Sequence, residues 1–250
     1  MPFLRFWDYM ENEMRINKYL SASGVLSRRE ADRFIMSGRI TVDGRKAVPG
    51  MKVNGSEDIR IDGERTVSTP ETVNKVVLAY NKKRGTVCST VNQGGEKNCI
   101  TDMIDYPLRV YPVGRLDKDS EGLILLTNDG DLVNRLLKGR YGHEKEYEVT
   151  LDREVSDEDI KRMAAGGLEL SPGRKNKPLS ITRIKGEGNR LSFILTEGIN
   201  REIRKIAEIF GYRVEKLKRI RFSGISLKGL KPGEYRELTK DEVKSLLKHK

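Results

Sequence analysis

The stretch "GRLDKDSEGLILLTNDG" (residues 114–130) sets Arg115, Asp117, Asp119 and Glu121 directly ahead of the unbroken apolar run 123–126. A run of that length, closed by Asn128, Asp129 and Gly130, reads as a buried strand ending in a turn. On this reading Ser120 and Gly122 are turn residues that lead into it. Arg115 and Asp117, two apart at its edge, are either an exposed ion pair worth little or the working groups of a site. The remaining carboxylates have ordinary duties open to them: turn formation, solvation, or capping of the helical pattern "DLVNRLL" that follows.

Working outward, strand patterns recur at "KVVLAYN", "KEYEVTL", "NRLSFILTEG" and "RVEKLKRIRF". Helical patterns intervene at "DLVNRLLKG", "SDEDIKRMAAGG", "INREIRKIAEIFG" and "TKDEVKSLLKHK". Strands dominate without strict strand–helix alternation, so the expected class is α+β with a mixed, mostly antiparallel sheet. Upstream, "MRINKYLSASGVLSRREADRFIMSGRITVDGRKAV" reads as helix, turn, helix and hairpin. Ile16, Tyr19 and Leu20 share one helical face, Ser27 and Glu30 fit a capping box, and Asp43-Gly44 fits a two-residue hairpin turn. The expected organisation is an N-terminal extension over residues 1–13, a small unit over 14–63, a polar linker over 64–72 and a larger domain over 73–250.

The 250 residues carry 48 Lys and Arg against 37 Asp and Glu, a formal net charge of +11. Such an excess draws polyanions, nucleic acid above all. No run approaches the roughly 18–20 apolar residues of a spanning helix, and no basic amphipathic helix with a broad apolar face stands out, so no membrane partner is expected. Cys88 and Cys99 are too few for a disulfide framework, and "MPFLRFWDYMENEM" lacks the marks of a signal peptide, so a cytoplasmic, reduced protein is expected. With His143 and His249 the only histidines, a His/Cys metal site lacks ligands. Catalysis falls to carboxylates, Tyr, Lys or Arg.

Two resemblances sharpen this reading. "RINKYLSASGVLSRREADRFIMSGRITVDGRKA" resembles the S4 RNA-binding fold, across about residues 14–62. "GRLDKDSEGLILLTNDGDLVNRLL", "EKEYEV", "EGINREIRKIAEIFGYRVEKL" and "LKRIRFSGISL", in that order, resemble the motifs of the bacterial rRNA pseudouridine synthases that carry an S4 domain. The pattern is most similar to the subgroup named for uridine 2604 of 23S rRNA. Three departures stand out: Lys83 where the family's Asn-Lys-Pro-x-Gly segment has proline, Glu202 for a usual Gln and Lys205 for a usual Arg.

What the resemblance implies is specific. Asp117 is the nucleophile or base, Tyr147 the ring stacked on the target uracil, Arg204 the basic partner with Arg115 beside it, and Leu217 the apolar floor. Arg201 and Lys205, and the strand cations Lys216, Lys218 and Arg219, would hold the flanking RNA. Arg15, Lys18, Arg28, Arg29, Arg33 and Arg39 would meet phosphates from the S4-like unit. Uridine isomerisation is redox neutral and uses no group donor, so neither cofactor nor metal is expected. It requires a carboxylate kept ionised by a neighbouring guanidinium, and a flipped base recovers its stacking on an aromatic ring. The expected partner is ribosomal RNA, 23S or a large-subunit assembly intermediate, with tRNA open as a second substrate and the protein acting as a monomer. The rivals are a non-catalytic RNA-binding or ribosome-assembly factor on the same fold, and a synthase for another 23S, 16S or tRNA site. An S4-linked methyltransferase lacks a suitable glycine-rich strand–turn–helix: "AAGG" and "NQGGE" lie in poor contexts for one.

Overall fold

A computed structural model describes residues 13–66, 69–70, 72–89, 98–137, 142–227 and 229–248. The chain divides into the units Met1–Lys75 and Val76–Lys250. Of the extension expected over residues 1–13 only Glu13 is described, and "NQGGE" and His249 also lie outside the described residues.

The first unit runs β1 (Met14–Arg15), α1 (Ile16–Ala22), α2 (Arg28–Met36), β2 (Ile40–Val42), β3 (Arg45–Lys46), β4 (Lys52–Val53), β5 (Ile59–Ile61) and β6 (Glu64–Arg65). The capping box at the start of α2 forms as expected. The Glu30 backbone N–H donates to Ser27 Oγ at 3.1 Å, and the Ser27 N–H donates back to the Glu30 carboxylate at 2.8 Å. Ile16, Tyr19 and Leu20 of α1 and Ala31 and Ile35 of α2 pack with Ile40, Val42 and Ile59 into one small core. The polar stretch expected as a linker from residue 64 begins instead as a strand, because Glu64 and Arg65 pair with Ile61 and Arg60. A sheet edge offers free backbone groups whatever the side chains are.

Arg15, Arg28, Arg29 and Arg33 are exposed, and none forms an ion pair with another described residue. Lys18 is half-buried. Arg39 departs from the expected free phosphate ligand: its guanidinium pairs with Asp62 at 2.5 and 2.8 Å and lies 3.7 Å from the Phe34 ring centroid.

The second unit runs β7 (Val77–Lys82), β8 (Tyr111–Pro112), β9 (Glu121–Thr127), α3 (Gly130–Leu137), β10 (Lys145–Leu151), α4 (Asp157–Ala164), β11 (Glu169–Ser171), β12 (Arg174–Lys175), β13 (Ser180–Arg183), β14 (Arg190–Leu195), α5 (Glu202–Ile209), β15 (Val214–Phe222), β16 (Ile225–Ser226), β17 (Tyr235–Glu237) and α6 (Lys240–Leu247). Its main sheet has the order β13-β14-β10-β15-β9-β7-β17. Among the described residues every ladder in it is antiparallel except β9 with β15, near its middle. This is the α+β, mostly antiparallel architecture expected.

The apolar run of the opening motif is unbroken because β9 is covered on both faces. Leu123 and Leu125 join Val77, Ala79, Leu132, Leu136 and Leu246 on one side. Ile124 and Leu126 join Leu78, Tyr80, Met163, Ile203 and Ile206 on the other. The turn after it works as anticipated: Asp129 Oδ1 accepts the backbone N–H groups of Asp131 and Leu132 at the start of α3.

Gly122 differs from expectation. It lies inside β9, paired with Arg219 of β15, at φ 102°. A Cβ there would sit 2.2 Å from the Arg219 carbonyl oxygen and 2.8 Å from its nitrogen. Both the dihedral and the approach of β15 therefore demand glycine. Gly122→Ala is expected to destabilise the second unit by about 2–4 kcal/mol, through strain at positive φ added to overpacking. A urea denaturation midpoint equal to wild type would refute the close approach.

Candidate active site

Asp117 and its neighbours form the turn that enters β9, and this turn is fixed from several sides. The Ser120 N–H donates to the Asp117 carbonyl at 3.1 Å, and the Gly85 N–H donates to the Lys118 carbonyl at 2.7 Å. The Leu116 N–H points at Cys88 Sγ at 3.3 Å. Lys82, at the end of β7 and fully buried, donates from Nζ to the carbonyls of Ser120 at 2.6 Å and Lys83 at 3.0 Å. Burial pulls its ammonium pKa down, while Asp117, Asp119 and Glu121 are among the groups that push it back up. A buried cation satisfied by carbonyls is a tie.

Arg204 supplies the second tie. It is 6% exposed on α5, and its guanidinium reaches the Asp119 carbonyl at 3.3 Å, Ser120 Oγ at 3.4 Å, the Val214 carbonyl at 3.1 Å and the Asp119 carboxylate at 3.2 Å. Burial lowers its pKa and the Asp119 carboxylate opposes that. The resemblance made Arg204 the partner of Asp117, but the cation that meets the Asp117 carboxylate is Arg201. Its Nη1 lies 3.6 Å from Asp117 Oδ2 and 3.5 Å from Asp119 Oδ1. The cause is local: Arg201 caps α5 in a left-handed conformation, φ 54° and ψ 35°, which turns it off the helical path that Arg204 follows. Non-glycine residues hold such dihedrals at a cost, commonly where a site requires it.

A pocket of about 620 Å³ opens beside this turn. Its wall includes Asp117, Ser120, Arg115, Arg201, Arg204, Tyr147, Leu217, Arg219, Lys145, His143 and Phe222. Tyr147 of β10 is 8% exposed and stands opposite Arg219, with Val149 opposite Leu217. Between Tyr147 and Glu146 the register slips by one residue, so β15 carries an extra residue, Ile220. A bulge of this kind re-aims side chains, and here Arg219 and Phe222 both line the pocket. Arg219, expected as an RNA-facing strand cation, is 3% exposed. Its Nε donates to the Leu123 carbonyl at 2.6 Å, and its guanidinium carbon lies 6.0 and 5.5 Å from the Tyr147 and Phe222 ring centroids. It supports those rings from behind.

Lys216 and Lys218 point away from Leu217 as the alternation predicts, but the pocket lies on the Leu217 face, so neither lines it. Lys218 stands opposite Glu148 across the β10 ladder. Lys205 does not line the pocket either. The structure thus gathers Arg115, Asp117, Tyr147, Arg201, Arg204, Leu217 and Arg219 and leaves these three lysines outside.

Sequence reasoning missed the Lys82 tie, whose signal was a lysine closing an apolar strand, and the role of Asp119, which meets both arginines. It also missed Lys145. Its Nζ faces the carbonyls of His143, Glu197 and Thr196 at 3.2–3.5 Å, and burial, reinforced by Arg219, brings its pKa down to about 8. Glu202 is buried, with Oε2 accepting the Ile199 N–H at 2.9 Å, and burial raises its pKa. Glu202, which stands where the family usually has Gln, both lines the pocket and closes the turn before α5. Among the described residues no group of three or more His, Cys, Asp or Glu could hold a metal ion, and no helix is long and apolar enough to cross a membrane.

Comparison with known proteins places both units. Residues 76–208 match the family described as RNA pseudouridylate synthase, and residues 14–59 match the S4 domain. The chain is 43% identical over 239 residues to the dual-specificity RNA pseudouridine synthase RluF of Salmonella typhi, covering 95% of this chain and 80% of that one. It is 35% identical to the ribosomal large subunit pseudouridine synthase B of Bacillus subtilis, over 93% of this chain and 95% of the other. A crystal structure of a pseudouridylate synthase superposes with a TM-score of 0.67 at 26% identity, covering 93% of this chain and 99% of that one.

The division of labour between the arginines is testable. Arg204→Ala should cost on the order of 2–3 kcal/mol in urea denaturation, because it strips a buried, charge-assisted set of hydrogen bonds. Arg201→Ala, whose side chain is 42% exposed, should stay within about 0.5 kcal/mol of wild type; equal losses would cancel the distinction. Lys145 should titrate near pH 8 in the free protein. The charged form prevails below that pH and the neutral form above, so any anion affinity it contributes falls as pH rises through 8. NMR of ε-¹³C-labelled lysine, with Lys145→Arg as the assignment control, reads this directly; no lysine titrating below pH 9.5 would contradict it.

Proposed function

We propose that this chain, which belongs to the RNA pseudouridylate synthase family and carries an S4 domain ahead of its synthase domain, isomerises a uridine of ribosomal RNA with Asp117 as the reacting carboxylate. The observation that carries the assignment is the meeting, on one pocket wall, of Asp117, the Arg201 guanidinium 3.6 Å from it and the Tyr147 ring. In the reaction the C1′–N1 bond breaks, the uracil turns, C5 bonds to C1′, the C5 proton leaves and N1 takes up a proton, so the product is an isomer of the substrate. Asp117 acts either on the nucleoside as nucleophile or as the base that takes a proton. Arg201 sets a positive charge 3.6 Å from the Asp117 carboxylate, and Tyr147 offers a stacking surface to the flipped base. Leu217 adds an apolar floor, and Arg115 at the exposed rim is placed for a phosphate. Arg204 works indirectly by holding the turn.

The target we favour is in 23S rRNA, of the uridine-2604 type. Its support is likeness along the chain to RluF and to a large-subunit synthase. The dual specificity in the RluF name supports testing a second RNA, and tRNA, left open by the sequence, is the one we choose. The exposed Arg15, Arg28, Arg29 and Arg33 supply the phosphate contacts of the S4 unit.

Asp117→Asn should retain rRNA binding and form no pseudouridine. Carbodiimide mapping of total RNA from cells carrying wild type, Asp117→Asn or no protein reads both the chemistry and the target. Product at the wild-type level in the Asn strain would remove Asp117 from the role, and product at that level in the strain without the protein would leave an RNA-binding factor; a lost mark elsewhere than 23S rRNA would reassign the substrate.

A further inference from the structure

With Lys216 and Lys218 on the opposite face of the sheet, the pocket needs another grip on the RNA strand that enters it. "SPGRKNKP" (residues 171–178) holds one. β11 and β12 form a hairpin, with Glu169 opposite Lys175 and Ser171 opposite Arg174, and β11 lies against α5, the helix that carries Arg204. Its backbone is tied down throughout. The Gly173 N–H donates to the Glu169 carboxylate at 3.0 Å. Asn176, 4% exposed, accepts the Leu168 N–H at its side-chain oxygen at 2.9 Å, and its own N–H and carbonyl bond Leu168 and Gly167. The Lys177 N–H donates to the Glu197 carboxylate at 2.7 Å. At the base Gly166 lies so close that a Cβ would fall 2.4 Å from Pro178 N.

On this fixed backbone the side chains of Arg174, Lys175 and Lys177 are exposed, and none forms an ion pair with another described residue. Arg174 and Lys177 line the pocket that holds Asp117. Of the carboxylates on the same wall, Asp117 meets Arg201, Glu197 accepts the Lys177 N–H and Glu202 accepts the Ile199 N–H; Arg174 acts on Glu202 through space without an ion-pair contact. A rigid frame that presents unneutralised cations at the rim loses little entropy when an anion arrives. The pocket, about 620 Å³, exceeds what one pyrimidine ring fills, which leaves room for sugar and phosphate beside it.

We propose that the β11–β12 hairpin clamps the phosphodiester backbone next to the target uridine through Arg174 and Lys177. The proposal rests on the pocket being the uridine site. It makes the hairpin, and not the far-face lysines, the element that seats the strand.

The test uses the full chain and two readouts, filter binding of an in vitro 23S rRNA transcript across a salt series and single-turnover pseudouridine formation on the rRNA transcript that wild type modifies. Arg174→Ala/Lys177→Ala should weaken binding about tenfold and lower the slope of log K against log salt by about 1.4–1.8, as expected when two phosphates are no longer neutralised. Its second-order rate of product formation at subsaturating protein should fall about tenfold, in step with the binding. Lys161→Ala/Lys185→Ala, exposed cations of the same unit outside the pocket wall, measures the effect of bulk charge. An unchanged slope in the hairpin variant, or an equal drop in this control, overturns the proposal. Because the hairpin's hydrogen bonds are backbone-borne or come from Glu169, Asn176 and Glu197, the variant should fold; if its melting temperature falls, Arg174→Gln/Lys177→Gln is read by the same criteria. Failure of the pocket reading looks different: Asp117→Asn would then form product normally, whatever the hairpin variant's salt slope.

Discussion

The geometry of the second unit depends on one constraint: the turn 117–120 cannot move relative to β7 and α5. Lys82 ties it from below through the Ser120 carbonyl, and Arg204 ties it from the side through Asp119 and Ser120. Where the turn runs into β9, Gly122 is pressed against the Arg219 backbone. Both ties come from cations whose burial is tolerable only because carbonyls and carboxylates surround them. The same desolvated charges that fix the turn place a positive field under it. Position and electrostatics are therefore set together, and Asp117 needs no rigidity of its own.

The pocket wall follows from that fixed edge. β15 lies between β9 and β10, so the turn that enters β9 and side chains of β10 and β15 border one space. The bulge at Ile220 then brings Phe222 round beside Arg219. Arg219 is held between two rings and a strand carbonyl, so its charge serves the wall and not the solvent. Lys145 feels that charge, and together with burial this leaves it with a pKa of about 8. Cation repulsion inside the pocket is relieved by an arriving polyanion, which is the partner the overall charge of the chain suggests.

The elements were legible in the sequence because each has a local cause. The Ser27–Glu30 box, the Asp129 cap and the apolar run of β9 need no knowledge of the rest of the chain. Part of the pocket wall was legible through its motifs, Asp117, Tyr147, Arg204 and Leu217 among it, but the pairing inside it was not. Helical spacing puts Arg201 and Arg204 on different sides, yet which one meets Asp117 depends on the left-handed turn at Arg201, which no periodicity announces. Strand alternation placed Lys216 and Lys218 opposite Leu217 correctly. It cannot say which face borders a cavity, because that is decided by the elements packed on each side. Arg219 misled for a related reason: an arginine in a basic strand reads as exposed until rings and a carbonyl are found to enclose it. The hairpin at residues 171–178 escaped notice because its strands are two and three residues long and its order comes from Asn176 and Glu197, outside any repeating pattern.

Two aspartates and two arginines alternate along the edge of the pocket, Asp117–Arg201–Asp119–Arg204, with contacts of 3.6, 3.5 and 3.2 Å. As a set they are neutral, and Asp119 is shared. If Asp117 loses its charge, by bonding to the substrate or by taking a proton, Arg201 still has Asp119 within reach and is not left a bare cation. The set as a whole becomes positive by one charge at that moment. In the reaction proposed above, an RNA backbone beside the set would supply negative charge to meet this, and that compensation is available on either chemical route. A simple Asp–Arg pair would bind its carboxylate more tightly and give it up less readily. The second aspartate thus shares Arg201 with the first, so that on the proposed chemistry the guanidinium is not committed to the reacting carboxylate alone.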